Sequence, residues 1–147
     1  MKKFICMLLL VVLGNFVYAV SEESVITVKA TLVDEEFVVG GVNDKPLIID
    51  FGNIGESSNG NLDFVVQYSG VKNNSSKVDM SLNNSEIVLS NENNSTLSSN
   101  VALNKKGGII DNKALIASIK GDIAKNSITE NGIYTGIVHL NVTVIPM

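Results

Sequence analysis

Apolar and polar residues alternate most clearly over residues 132–145. Successive side chains of a β-strand point to opposite faces, so this pattern predicts a long strand with one face buried. Asn131–Gly132 at its start is a turn signal, and Ile137 interrupts the polar face. The predicted buried face consists of Tyr134, Gly136, Val138, Leu140, Val142 and Val144. So long an apolar strand must be paired, because an unpaired edge is a template for aggregation.

A second alternating segment covers residues 24–34. One of its faces is mixed, whereas the other is wholly apolar and consists of Ile26, Val28, Ala30 and Leu32. The acidic run Asp34-Glu35-Glu36 ends the pattern. The segment is therefore predicted to be a strand with one buried face, and it mirrors the strand at the other end of the chain.

The residues between these two strands predict several short strands separated by turns rich in Gly, Asn and Ser. Residues 114–123 fit a strand or a short helix, and Gly121 together with the neighbouring strands favours a strand. Ala102, Gly108, Ile109 and Ile110 are ambiguous, and no segment has the period of an ordinary amphipathic helix. The remaining predicted strands are 37–39, 47–51, 62–68, 77–82 and 87–89, with loops at 43–46, 55–61, 71–76 and 91–100. The spacing is typical of an all-β sandwich.

The first nineteen residues have the features of a secretory signal peptide. Lys2 and Lys3 precede an apolar run over residues 4–13, and Ala19 ends a short stretch that suits signal peptidase. The alternative, a membrane anchor, is disfavoured because the apolar run is too short to span a bilayer. The sequence predicts an exported chain cleaved after Ala19, with residues 1–19 removed.

Composition narrows the classes of partner and of chemistry. The only cysteine, Cys6, lies in the predicted signal, so the exported chain is held together without a disulfide. The chain has 15 acidic and 11 basic residues, and loss of Lys2 and Lys3 makes the balance more negative. An acidic chain without arginine is a poor partner for phosphate backbones. We therefore expect no nucleic-acid partner.

Candidate catalytic and metal sites are few. His139 is the only histidine and falls on the polar face of the last predicted strand, without a nearby acidic residue or cysteine to complete a triad or a metal set. The run at residues 34–36 lacks the spacing of a calcium loop, and Gly40-Gly41 and Gly107-Gly108 lack the spacing of phosphate-binding loops. We expect no enzyme activity, no cofactor and no metal.

The two terminal strands carry a family resemblance. V-S-E-E-S-V-I-T-V-K-A-T-L-V-D at residues 20–34 and G-I-Y-T-G-I-V-H-L-N-V-T-V at residues 132–144 resemble the ends of chaperone–usher fimbrial pilins. They are most similar to the class 5 major pilins (the alternate chaperone–usher, or α-clade, group) of enterotoxigenic bacteria. The matching positions are Ile26, Thr27, Val28, Ala30 and Val33 in the first segment, and Gly132, Tyr134, Gly136, Val138 and Leu140 in the second.

The resemblance implies an immunoglobulin-like β-sandwich that lacks one strand. Residues 20–33 would be the donor strand, which inserts Ile26, Val28, Ala30 and Leu32 into the groove of a neighbouring subunit, and residues 34–147 would form the sandwich. The face from Tyr134 to Val144 of the last strand would line the acceptor groove and bind a periplasmic chaperone. The implied partners are identical subunits in a head-to-tail polymer, an outer-membrane usher and a minor tip adhesin. The implied location is a fimbria on the cell surface, where it supports adhesion to host cells.

Two alternatives stay open at this point. The chain is also compatible with a self-contained exported β-sandwich that binds a carbohydrate or another small ligand, in which residues 24–33 pair within their own chain. A two-domain tip adhesin needs a separate receptor domain, for which the exported chain has no room. The terminal strands favour the structural subunit.

Overall fold

The computed structural model describes residues 23–32, 37–53, 58–68, 75–110, 114–123 and 132–147. These residues form an all-β domain, as the sequence predicts, with ten strands and one short 3-10 turn. The strands are β1 (Glu23–Leu32), β2 (Phe37–Gly41), β3 (Ile48–Asp50), β4 (Ser58–Tyr68), β5 (Ser76–Leu82), β6 (Glu86–Ser90), β7 (Thr96–Leu103), β8 (Gly107–Ile110), β9 (Leu115–Ile123) and β10 (Ile133–Pro146).

The strands form one curled sheet that folds over a single core. Its order is β2-β4-β9-β7-β6-β10-β1-β3, and β5 pairs with β10 and carries β8 on its other side. The two halves of the sheet meet where Thr135 of β10 pairs with Ser90 of β6. This arrangement is consistent with a β-sandwich, in which two sheet faces pack over one core.

The core is built from alternating inward residues, as the hydrophobic pattern predicts. In β4, Leu62, Phe64 and Val66 are buried, whereas the intervening Asp63 is exposed. β5 and β7 alternate in the same way, because each faces the core on one side only. In β9 the alternation is interrupted, because Ala117, Ser118 and Ile119 are all buried. The largest fully buried side chains are Tyr134, Phe64, Ile26, Ile49, Leu89, Ile110, Ile119, Ile123, Leu140, Val66 and Val78.

Two paired glycines let β3 approach the opposite half of the sheet. Gly60 of β4 is the register partner of Gly121 of β9. A Cβ atom added at Gly121 would lie 2.7 Å from Cζ of Phe51, and one at Gly60 would lie 2.5 Å from Cγ2 of Ile49. Both glycines are therefore required by the close packing of the Ile49 and Phe51 side chains.

The structure corrects two loop predictions. The loop predicted at residues 55–61 is wrong in its second half, because β4 already begins at Ser58. The loop predicted at residues 91–100 is also wrong in its second half, because β7 begins at Thr96 and buries Leu97 and Ser99. Both strands begin with polar residues, which read as turns although every second side chain faces the core. The strand preferred for residues 114–123 is confirmed by β9.

Several predictions concern residues that the structure does not describe. The proposed signal at residues 1–19, the acidic run at residues 34–36 and the turn residue Asn131 all lie outside the described residues. Within the described ranges, no helix is long and apolar enough to cross a membrane.

Candidate functional site

The two terminal strands lie side by side. β1 pairs with β10 in parallel along its whole length, from Glu23 opposite Ile133 to Leu32 opposite Val142. The other edge of β1 pairs in antiparallel orientation with β3, from Val25 opposite Asp50 to Thr27 opposite Ile48. β1 therefore fills a groove whose two walls are β10 and β3.

The apolar face of β1 points into this groove. Ile26 is fully buried and Val28 is nearly so, whereas Ala30 and Leu32 are partly buried and pack against the edge of the core. On the opposite face, Thr27, Lys29 and Thr31 are exposed. The structure thus brings together the four side chains that the sequence singles out, and their burial decreases towards the end of the strand.

Backbone hydrogen bonds extend the contact between β1 and the chain around β3. The N–H of Val28 donates to the carbonyl oxygen of Leu47 at 2.8 Å, and the N–H of Phe51 donates to the carbonyl oxygen of Ser24 at 2.9 Å. The sequence predicts the strand at residues 47–51 but gives no sign that it borders β1. Pairing partners far apart in the sequence leave no local pattern.

The predicted buried face of β10 lines the same groove. Tyr134, Val138, Leu140 and Val142 are buried, and Gly136 and Val144 are partly buried. A Cβ atom at Gly136 would lie 3.1 Å from Cγ2 of Ile87 and 3.2 Å from Cγ of Leu89. The glycine therefore allows β10 to pass close to β6 at the point where the two halves of the sheet meet.

β10 is fixed along its other edge by β5 and by the turn after it. Residues from Leu140 to Pro146 pair with β5 in antiparallel orientation. In the turn, Asn83 donates its N–H to the carbonyl oxygen of His139, and its Oδ1 accepts the N–H of His139, each at 3.0 Å. Sequence reasoning missed Asn83, whose only signal is its place in an Asn-rich turn.

His139 lies on the outer face of the strand pair, away from the apolar lining of the groove. His139 is exposed, as predicted, and its register partner on β1 is Lys29. Among the described residues, no group of three or more His, Cys, Asp or Glu side chains is placed to hold a metal ion. What the groove offers is an apolar trough flanked by strand edges, which is a site for an extended peptide segment.

In the single chain, the segment predicted to enter a neighbouring subunit lies in its own groove. This pairing within the chain is the arrangement that the self-contained alternative expects. Insertion into a neighbour stays a prediction, since one chain has no neighbour to accept the strand.

Comparison of the chain with protein-family models and with curated proteins found no match.

Proposed function

We propose that this protein is the structural subunit of a surface fimbria, polymerised by donor-strand exchange. In this proposal the fold is an immunoglobulin-like sandwich that lacks one strand of its own, and residues 20–33 supply that strand to a neighbour. The observation that carries the proposal is the position of β1. It is an end strand that fills an apolar groove between β10 and β3 and buries Ile26 and Val28 there.

The connectivity of β1 makes exchange simple. With the predicted cleavage after Ala19, β1 is joined to the rest of the domain only through residues 33–36. It can leave the groove without threading through any other strand and enter an equivalent groove nearby, as in domain swapping. Each subunit then fills one groove and offers its own to another. Such a head-to-tail contact that does not close on itself produces a filament.

The energetics favour a long-lived joint. Burial of Ile26 and of Val28 contributes about 1.5–3 kcal/mol each, and each main-chain hydrogen bond about 0.5–1.5 kcal/mol. A strand from a neighbour makes the same kinds of contact as the strand of the same chain. The strand within the chain runs parallel to β10, and parallel pairing is slightly less stable per residue than antiparallel pairing. A donor that enters antiparallel to β10 replaces the long parallel ladder with an antiparallel one, while its short ladder with β3 becomes parallel. The longer ladder outweighs the shorter one, so the reversed donor gains stability over the pairing within the chain.

The same groove accounts for the proposed partners. With β1 withdrawn, the apolar face of β10 loses its cover, and Val138 and Leu140 are among the side chains exposed at the edge. A periplasmic chaperone that lends a strand prevents aggregation at this edge. An outer-membrane usher then exchanges the lent strand for that of the next subunit, and a minor tip adhesin ends the fibre, which supports adhesion to host cells.

A second candidate function is a self-contained exported β-sandwich that binds a ligand. The pairing of β1 within its own chain favours it, because this pairing leaves the groove filled without a second molecule. The two functions differ in one property. A fimbrial subunit must release β1 from its own groove, whereas a self-contained domain never does so.

A disulfide that locks β1 to β10 tests this difference. Lys29 and His139 are register partners, both exposed on the same face of parallel strands. Neighbouring strands lie about 4.8 Å apart, within the range that a disulfide spans. In the Lys29→Cys/His139→Cys chain without its signal, the new cysteines are the only ones. We expect the oxidised chain to stay monomeric and not to bind a fluorescent peptide of residues 20–33. The reduced chain should bind the peptide and form multimers.

A second disulfide provides the matched control. Val88 and Ser98 are exposed register partners on β6 and β7, away from β1. The oxidised Val88→Cys/Ser98→Cys chain should exchange peptide and form multimers as well as the reduced chain does. Donor-strand exchange is the wrong mechanism if the chain locked at residues 29 and 139 assembles normally, or if no unlocked chain ever takes up the peptide.

A further inference from the structure

A pocket opens beside the strand groove. It has a volume of about 480 Å³ and lies between β3, the first half of β4 and the turn that joins β2 to β3. β2 stops pairing with β4 at Gly41 opposite Phe64, so Asn61 and Asp63 of β4 lie beyond the end of β2 and border the pocket. Val25 of β1 contributes to its lining. The volume falls within the range of small-molecule sites in proteins.

The polar groups of this pocket are held in place by hydrogen bonds. Asp50 Oδ1 accepts the N–H of Gly52 at 2.7 Å, and Asp63 Oδ1 accepts from Asn61 Nδ2 at 3.0 Å. Each of these bonds uses one carboxylate oxygen, so the second oxygen of each side chain remains available as an acceptor. Asn43 also lines the pocket, from a turn in which its φ is 59°. Asparagine is one of the few residues that adopt this left-handed conformation readily.

The charges of the lining residues select the class of ligand. Two carboxylates, Asp50 and Asp63, disfavour an anion. Lys45 also lines the pocket, and its ammonium group disfavours a cation of any kind. What remains is a neutral ligand that donates several hydrogen bonds. Val25 and Pro46 add apolar surface to the same pocket.

A sugar ring combines these properties, because its hydroxyl groups donate to carboxylate and amide oxygens while its C–H face packs on apolar side chains. We infer that the pocket formed by β1, β3, β4 and the turn at residues 42–46 binds a neutral saccharide. The carboxylate oxygens of Asp50 and Asp63 accept hydrogen bonds from its hydroxyl groups, and Asn43 and Asn61 supply amide donors and acceptors.

The pocket is complete only when a strand fills the groove. Val25 is the register partner of Asp50, and β3 has no ladder partner other than β1 among the described strands. A ligand that binds only the filled form stabilises that form by mass action. The strand of the same chain already completes the pocket, so the inference does not rest on the fimbrial proposal.

Titration of the ¹⁵N-labelled exported chain with the methyl glycosides of glucose, galactose, mannose and N-acetylglucosamine tests the inference. We expect saturable shifts of the amide signals of Asn43, Asn61 and Asp63 with at least one glycoside. Asp63→Ala and Asn61→Ala should weaken binding about tenfold, because each removes a hydrogen-bonding group from the pocket. Asp122→Ala is the matched control, an exposed aspartate of the neighbouring strand β9 outside the pocket, and should leave binding unchanged.

Each remaining outcome overturns a defined part of the inference. If none of the four glycosides shifts these signals, or if the shifts persist in Asp63→Ala and Asn61→Ala, the site is wrong. If calcium shifts them and the glycosides do not, the ligand class is wrong. Bound glycoside should also slow hydrogen exchange of the Ile26 and Val28 amides more than that of β6 and β7. Binding without this protection refutes the link to the groove and leaves the pocket itself standing.

Discussion

The first and the last strands of the domain bury similar apolar faces but are attached very differently. β10 pairs with β1 on one edge and with β5 and β6 on the other, and Asn83 fixes its centre. β1 pairs with β10 and with the three residues of β3. Loss of β10 would disconnect the two halves of the sheet, whereas loss of β1 would open the groove and leave the three-residue strand β3 without its ladder partner. Stability of the domain therefore depends on β10, and exchange, where it occurs, concerns β1.

A buried charge on β10 should cause the largest loss of stability of any single substitution in the two strands. Leu140→Asp places a carboxylate where the side chain is fully buried, and we expect a loss of at least about 3 kcal/mol in the free energy of unfolding. Since domains are stable by only about 5–15 kcal/mol, much of the chain should be unfolded or insoluble. His139→Asp, one position away on the exposed face, is the matched control. Circular dichroism and soluble yield distinguish the two, and equal behaviour of both variants would contradict the register of β10.

Removal and relocation of β1 come next in expected effect. A chain without residues 20–33 should keep the strands away from the groove but melt at a lower temperature and aggregate through the open edge, and the same segment appended after Met147 should restore a stable monomer. A linker of about four residues permits only antiparallel pairing with β10. Parallel pairing requires a linker that runs back along the 14 residues of β10, about 46 Å, or roughly 20 residues.

We expect both appended chains to fold, and the chain with the short linker to melt at the same or a higher temperature because antiparallel pairing is the more stable. Thermal unfolding by circular dichroism measures the difference. If only the chain with the long linker forms a stable monomer, the groove accepts only a strand parallel to β10. A neighbour's strand would then gain no stability over the strand of the same chain.

A buried charge on β1 should have a smaller and more local effect than one on β10. Val28→Asp should release β1 from the groove, because Val28 is nearly fully buried there. Hydrogen exchange should then show loss of protection in β1 and the facing edge of β10, while β7 and β9 keep theirs. Thr27→Asp changes an exposed neighbour and should leave all four strands protected. If Val28→Asp unfolds the whole domain as Leu140→Asp does, the two strands are equally essential.

The smallest effect concerns the charges on the outer face of the strand pair. Lys29 and His139 are adjacent register partners, and like charges at such positions destabilise a sheet by about 0.2–1 kcal/mol. We expect His139→Lys to lower the free energy of unfolding by that amount and His139→Glu to raise it. Urea unfolding at low and high salt measures both, and the difference should shrink in high salt. Identical stabilities at low salt would show that Lys29 and His139 do not interact.

Much of the fold is predictable from local sequence pattern, because the alternation of apolar and polar residues in a strand indicates which face is buried. The inward faces of β1, β4 and β10 follow directly from their alternation, and Gly132 correctly marks the start of β10. The start of β7 has no clear strand pattern, because its inward positions are Leu97, Ser99 and Val101, and a serine at a core position is more typical of a loop. Ser99 is buried next to Gly121 of β9, where an added Cβ atom would lie 3.4 Å from Ser99 Oγ. This close approach depends on the neighbouring strand and leaves no sign in the sequence of β7.

The candidate site was predictable in its residues but not in its geometry. The four inward side chains of β1 and the face of β10 were evident as two separate patterns. Their parallel register, the role of β3 as the second wall and the hydrogen bonds of Asn83 depend on which distant segments meet. The pocket beside the groove gave no sequence signal, since its lining residues come from four different segments.

The pairing of β1 with β10 joins the first strand to be synthesised with the last one. Glu23 faces Ile133, so translation must add about 110 residues between the two partners, which takes roughly 5–20 s at ordinary rates. Throughout that interval the apolar face of the first strand exists without the strand that covers it. Contacts this far apart in sequence also form late in folding, because the loop they close is long. The pairing of β1 with β10 is therefore expected to be among the last contacts of the domain to form.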